Sequence, residues 1–175
     1  RLKQQYFFCS ASLKDIMNRY KAKYGNDFSH FAEENTIQLN DTHPVSCVPE
    51  LVRLLMLENM NFDEAFEIAR KTCAYTNHTV LGEALEKWPV WYLEKVVPQL
   101  MPIIKMLDVK VKEKYSDPRL AIIDNENRVH MAHIDIHYGY SVNGVATLHT
   151  QILKESELKP FYDIYPHKFN NKTNG

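Results

Sequence analysis

No charge of one sign dominates this chain: 21 Lys and Arg stand against 22 Asp and Glu, a formal net charge of −1. Without a basic surplus there is no stripe to neutralise phosphates, and nucleic acid drops out as a partner. Apolar runs are short. None reaches the ~18 residues that a membrane span requires, and none has the layout of a secretory signal, so no membrane partner is expected. Cysteine is sparse and odd in number. Cys9, Cys47 and Cys73 sit far apart in apolar segments, which reads as buried thiols in a reducing, cytoplasmic setting rather than a disulfide framework or a zinc site. Glycine is sparse too, with 5 residues, and "VNGVA" supplies neither a glycine-rich phosphate loop nor a P-loop. Internal repeats, low-complexity tracts and linker-like stretches are all absent.

What is present is one domain's length of mixed helix and strand, 175 residues that can bury a core. "LKQQYFFCSASLKDIMNRYKAKYG" spaces its apolar residues as a helix and ends at Gly25. "IQL" is a short strand, and "VPELVRLLMLENM" is a second helix. "NFDEAFEIARKTCAYT" opens a third, with Asn61 as cap and Glu64 three residues on. "CAYTNHT" is a second strand. "EALEKWPVWYLEKVVPQLMPIIKMLDVKVKEKY" reads as helix broken or bent at Pro89, Pro98 and Pro102. "LAIIDNENRVHMAHI" is hairpin-like, turning at Asp124 to Asn127. "SVNGVATLHTQILKES" places Val142, Val145, Ala146, Leu148, Ile152 and Leu153 on a helical face. The order strand, helix, helix, strand fits a parallel α/β sheet, whose ligands collect beyond the carboxyl ends of the strands.

Both strands run into polar knots. "NDTHP" offers Asp41 beside His43, with Pro44 fixing the turn; a carboxylate so close to an imidazole can orient it or bind hydroxyls. A capping Asp with a surface His is the plainer alternative. "TNHTVLGEALEKW" offers Asn77, His78 and Thr79, then Glu83 and Glu86, three apart and so on one face of a helical turn. That mixture of amide, imidazole, hydroxyl and carboxylate suits a polyhydroxylated ligand, with Trp88 as an apolar surface for a sugar ring. The competing picture is a solvated Glu face over a core Trp. Two carboxylates on one helix face do not straddle a scissile bond, which counts against a glycosidase. "HMAHIDIH" invites a metal reading. If extended, it places His133, Asp135 and His137 on one side and His130 on the other. With no H-E-x-x-H motif and no nearby cysteine, structural histidines are preferred and no metal site is assigned. "NDT", "NHT" and "NKT" are formal N-glycosylation acceptors at Asn40, Asn77 and Asn171, but nothing marks the chain for export.

In their order, "RLKQQYF", "IQLNDTHP", "AYTNHTVLGEALEKWP", "HMAH", "VNGVATLHTQIL" and "HKFNNKTNG" resemble the α-glucan phosphorylases, the glycogen, starch and maltodextrin enzymes. The resemblance runs through the whole chain but matches only the later portion of a family member's N-terminal half. Together with the opening at Arg1 and the turn-like close at "NKTNG", it leads us to expect that residues 1–175 are an internal fragment with no domain boundary of its own. The fold so implied is a partial Rossmann-like parallel sheet flanked by helices, helix-rich, part of the N-terminal domain of a two-domain glycosyltransferase-B-type fold. The activity so implied is phosphorolysis of terminal α-1,4-linked glucose to glucose 1-phosphate, with pyridoxal phosphate as cofactor.

Carried over by motif, His78 matches the residue that meets the glucose 6-hydroxyl, and Asn174 the amide that grips the same hydroxyl. Asp41 and His43 match residues lining the cleft, and Glu83 and Glu86 match carboxylates bordering the pocket, with Asn77 and Thr79 beside them. The lysine that carries pyridoxal phosphate lies beyond Gly175 in the family, so no residue of this chain is expected to bind the cofactor. The parent is expected to be a homodimer acting on α-1,4-glucan and phosphate, and the fragment to be inactive and to self-associate. A stand-alone oligosaccharide-binding module is the alternative. Two departures stand out. Gly82 replaces a common proline, and Asn18-Arg19 stands where animal members carry an arginine pair that binds an activating nucleotide.

Overall fold

The computed structural model describes residues 1–173. Helix α1 (Leu2–Tyr24) turns Leu13, Met17 and Tyr20 inward and stops at Gly25, whose φ of 62° favours a residue without a Cβ. The short α2 (Phe31–Glu34) leads to strand β1 (Ile37–Asn40). Helices α3 (Cys47–Leu57) and α4 (Phe62–Thr72) cross to strand β2 (Cys73–Thr76). Helix α4 starts as its sequence dictates: the Asn61 side chain accepts from Glu64 N at 2.9 Å.

Glu50 on α3 is fully buried yet fully satisfied. Arg53 grips it with two hydrogen bonds of 2.7 and 2.8 Å, and Ser10 and Tyr6 of α1 donate to it at 2.9 and 3.2 Å. That network fixes α1 against α3, because a buried carboxylate left short of partners would be costly.

Beyond β2 the chain departs from a continuous helix. Strand β3 (Lys87–Pro89) precedes α5 (Val90–Val96) and α6 (Met101–Lys114), and it pairs antiparallel with β4 (Arg128–His130). Of the three prolines, Pro89 ends a strand, and Pro102 sits in the first turn of α6, where its missing N–H costs nothing. The Ile123–Val129 bridge and the left-handed Asn127 confirm the hairpin turn over Asp124 to Asn127. Then α7 (Met131–Tyr138) begins at once, so "HMAHIDIH" is helical and not extended.

The segment after α7 corrects another expectation. Val142 to Gly144 form strand β5, and helix α8 (Thr147–Glu155) begins only later. Leu148 lies on that helix as expected, but is 72% exposed. A Cβ at Gly144 would run into Thr150 Oγ1, so this close passage of strand past helix requires glycine. Helix α9 (Lys159–Ile164) and strand β6 (Phe169–Asn171) complete the described chain.

Strands β1, β2, β5 and β6 form a four-stranded parallel sheet in that order, flanked by helices. The molecule is therefore α/β and helix-rich. A large apolar cluster joins α1, β1, α3, α4, α5, α6 and α7, and a smaller one gathers Tyr75, Val142, Leu153, Phe161 and Phe169. Cys9, Cys47 and Cys73 are free thiols buried in the larger cluster. No described helix is long and apolar enough to cross a membrane.

Candidate functional site at the carboxyl edge of the sheet

Strand register creates the site. Leu39, Tyr75, Val142 and Phe169 stand in one line across the four strands, and all are buried. One residue further along every strand, the line reads Asn40, Thr76, Asn143 and Asn170. The sheet thus turns from apolar to polar in a single step at its carboxyl ends, where loops and backbone groups converge in parallel α/β sheets. Gln38 Nε2 donates to Thr76 Oγ1 at 2.8 Å, and Thr76 Oγ1 donates to Asn143 Oδ1 at 2.8 Å, so the middle of the line is cross-linked by side chains, while Asn170 Nδ2 donates to Ser141 Oγ at 2.8 Å.

The first knot leaves β1 with Asp41 in the left-handed region at φ 65°, an unusual conformation for a residue with a Cβ. Its backbone N–H donates to Thr76 O at 2.8 Å, which extends the pairing past Asn40, and its carboxylate accepts from Thr42 N at 2.7 Å. His43 is exposed and faces a cluster absent from the sequence reading. Its Nδ1 lies 3.4 Å from Glu86 Oε1 and 3.3 Å from the Arg1 guanidinium, which itself pairs with Glu86 at 2.5 Å. Trp88 Nε1 also donates to Glu86 at 3.4 Å, while its ring stacks on Tyr92.

In the second knot, Asn77 is fully buried. Its amide donates to Tyr75 Oη at 2.9 Å and accepts from Thr79 N at 3.0 Å, so it shapes the loop from within. Thr79 Oγ1 accepts from Leu81 N at 3.2 Å. His78 is exposed and hydrogen-bonded through Nε2 to Asn40 Oδ1, which ties the second knot to the first. Glu83 and Glu86 do not share a helical face: a single 3-10 turn covers Gly82–Ala84, and Glu86 already leads into β3. The Glu86 carbonyl is taken by Met131 N at 3.1 Å, which holds this stretch extended beside the hairpin. Glu83 points to solvent, while the Glu86 side chain is only 12% exposed. Asn174 lies outside the described residues.

Thr76, Asn143 and Arg1 escaped the sequence reading, which had Asn40 only as the start of the first knot and a formal glycosylation acceptor. The signal available for Asn143 was its place before a glycine after a β-branched residue, the same strand-into-amide pattern seen at Asn40.

The histidine cluster has a different use. His130 at the end of β4 and His133 on α7 stack with centroids 4.5 Å apart, and His133 and His137 both set edges against Phe161. His133 Nδ1 bonds to Ala121 O at 2.7 Å and His137 Nε2 to Leu120 O at 2.7 Å. Burial pushes their pKa values down to about 3 and about 4, leaving both neutral. Asp135 lies apart from them, completely buried, with neither oxygen partnered among the described residues. Burial, then the Asp41 carboxylate, hold its pKa well above the usual carboxylate range. Among the described residues no group of three His, Cys, Asp or Glu side chains is arranged to hold a metal ion.

Residues 1–175 match the carbohydrate phosphorylase family. The chain is 57% identical over its full length to the maltodextrin phosphorylase of Streptococcus pneumoniae, of which it covers 23%. It is 43% identical to the muscle forms of glycogen phosphorylase from Oryctolagus cuniculus and Homo sapiens, over 194 aligned positions that again take in the whole chain and 23% of each relative. With this match from first residue to last, on a parallel sheet that ends in a polar edge, the chain belongs to the carbohydrate phosphorylase family.

Proposed function

We propose that this chain forms part of the glucosyl subsite of an α-glucan phosphorylase, whose full-length form releases glucose 1-phosphate from α-1,4-glucan and phosphate in the cytoplasm. The observation that carries the proposal is the polar line Asn40, Thr76, Asn143 and Asn170 at the carboxyl edge, with His78 and Asp41 immediately beyond it. Amides, hydroxyls and imidazoles both donate and accept, which is what sugar hydroxyls ask of a site. Exposed His78, oriented by Asn40, meets the sugar, and Asn77 holds the loop that presents it. Glu86, gripped by Arg1 and His43, carries the carboxylate character at the rim, with Asp41, Thr79 and Glu83 around it.

The same donor set does not suit pyridoxal phosphate, which asks for several cations about its phosphate and a lysine for its aldehyde. Asn40, His43 and His78 are all exposed, so this edge is a ledge with one wall, and the chain by itself supplies recognition without turnover.

The test is glucose 1-phosphate release from maltodextrin and phosphate. We expect none from the 175-residue chain. In the full-length protein we expect a loss of about tenfold to a hundredfold in kcat/KM on His78→Ala, the scale of removing one hydrogen bond to a substrate hydroxyl. Full activity of that variant, or turnover by the chain alone, would overturn the proposal.

A further inference from the structure

A cavity of about 590 Å³ opens at the opposite end of the sheet, where β2, β5 and β6 begin. Its volume lies in the range of small-molecule sites, about 300–1,000 Å³. Four Lys and Arg side chains line it against two carboxylates. Arg70 has a partner in Glu67 at 2.7 Å, and Lys110 has one in Asp63 at 2.6 Å. Lys114 and Lys168 have no carboxylate partner among the described residues.

Helices α4, α6 and α7 all end here, and cations in a last turn offset the carbonyl end of a helix dipole. That accounts for part of the positive charge. Lys168 already spends its ammonium on the carbonyls of Ile136 and His137, at 2.9 and 3.0 Å, while lying 3.9 Å above the Tyr165 ring. The rings of Tyr115 and Tyr165 meet edge to face, 5.9 Å apart, and give the cavity an aromatic wall.

We propose that this cavity binds a small aromatic phosphomonoester, its phosphate held by Arg70, Lys114 and Lys168 and its ring against Tyr115 and Tyr165. Phosphate geometry suits guanidinium and ammonium donors together, and the two tyrosines, set edge to face, offer an apolar corner. Burial first, then the neighbouring charges of Arg70 and Lys114, hold the pKa of Lys168 down to about 7. Lys168 is thus easily deprotonated, and an arriving dianion restores its ammonium form. Binding at pH 8 takes up a proton.

The experiment is calorimetric titration of the chain with phenyl phosphate at pH 8, in two buffers of different ionisation enthalpy. Inorganic phosphate and phenol serve as half-ligands. Arg70→Gln and Lys114→Gln test the site, and Lys105→Gln, on an exposed lysine paired with Glu94, controls for net charge. Each site variant should weaken phenyl phosphate about tenfold, the scale of one charge-assisted contact. Lys105→Gln should change nothing, both half-ligands should bind more weakly than phenyl phosphate, and proton uptake should appear. Equal affinity in all three variants, no binding, no proton uptake, or phosphate alone binding as well as phenyl phosphate would each overturn the proposal.

Discussion

At His137, burial keeps the ring neutral and the hydrogen bonds decide which nitrogen carries the proton. A carbonyl only accepts, so Nε2 must carry the proton donated to Leu120 O, and Nδ1 is left to accept from Tyr165 Oη at 2.9 Å. The neutral ring is satisfied on both nitrogens, and an imidazolium here would lose the acceptor that Tyr165 uses. Its folded pKa, about 4, lies below the ordinary 6.5, so the unfolded chain binds the extra proton. The resulting stability is complete above pH 6.5 and is lost as pH falls toward 4. Thermal melts of the chain and of His137→Gln should show the variant losing less stability across that window. An identical acid slope would mean that His137 does not titrate as a buried group.

Asp41 is the residue at which local strain and site coincide. Its left-handed backbone costs energy that the surrounding pairing must over-determine, and it re-aims the chain from strand to knot. The sequence showed this as a strand entering "NDTHP". It did not show Arg1 reaching Glu86, because 85 positions separate the two and only the fold brings them together.

Among the elements, α1, α3 and α4 were legible because each carries apolar residues at helical spacing and a readable end, Gly25 for α1 and Asn61 for α4. Replacing Asn61 by alanine removes the bond to Glu64 N and should cost about 1 kcal/mol, read as a lower melting temperature. No change would mean that α4 is held by packing alone. Strands β3 and β5 were not legible, since each has three residues, too few for alternation to declare itself. Val142, Val145 and Ala146 matched a helical period by spacing that in fact spans a strand and a turn. Helix α7 was misleading in the other direction. It is buried except at His133, which is half-buried, so its polar residues Asp135 and His137 mark the interior and not a solvent face.

For the whole molecule, the resemblance of the ordered motifs pointed to the right family, and the parallel sheet followed from the alternation of strands and helices. What no motif could convey is the line Asn40, Thr76, Asn143 and Asn170, which exists only through strand register. The chain also exposes Phe7, Phe8, Leu57, Trp91 and Leu148, each by more than 60%. Apolar area of this kind favours association, so we expect light scattering to show a mass rising with concentration. A constant monomeric mass would contradict that expectation.

The most direct measurement is a backbone amide NMR titration of the chain with maltopentaose. A one-walled subsite predicts weak, millimolar binding, with shifts confined to Asn40, Asp41, His43, His78, Asn143 and their neighbours. Shifts centred elsewhere, or none on this edge at about ten millimolar ligand, would contradict the assignment of the carboxyl edge as the sugar-binding face.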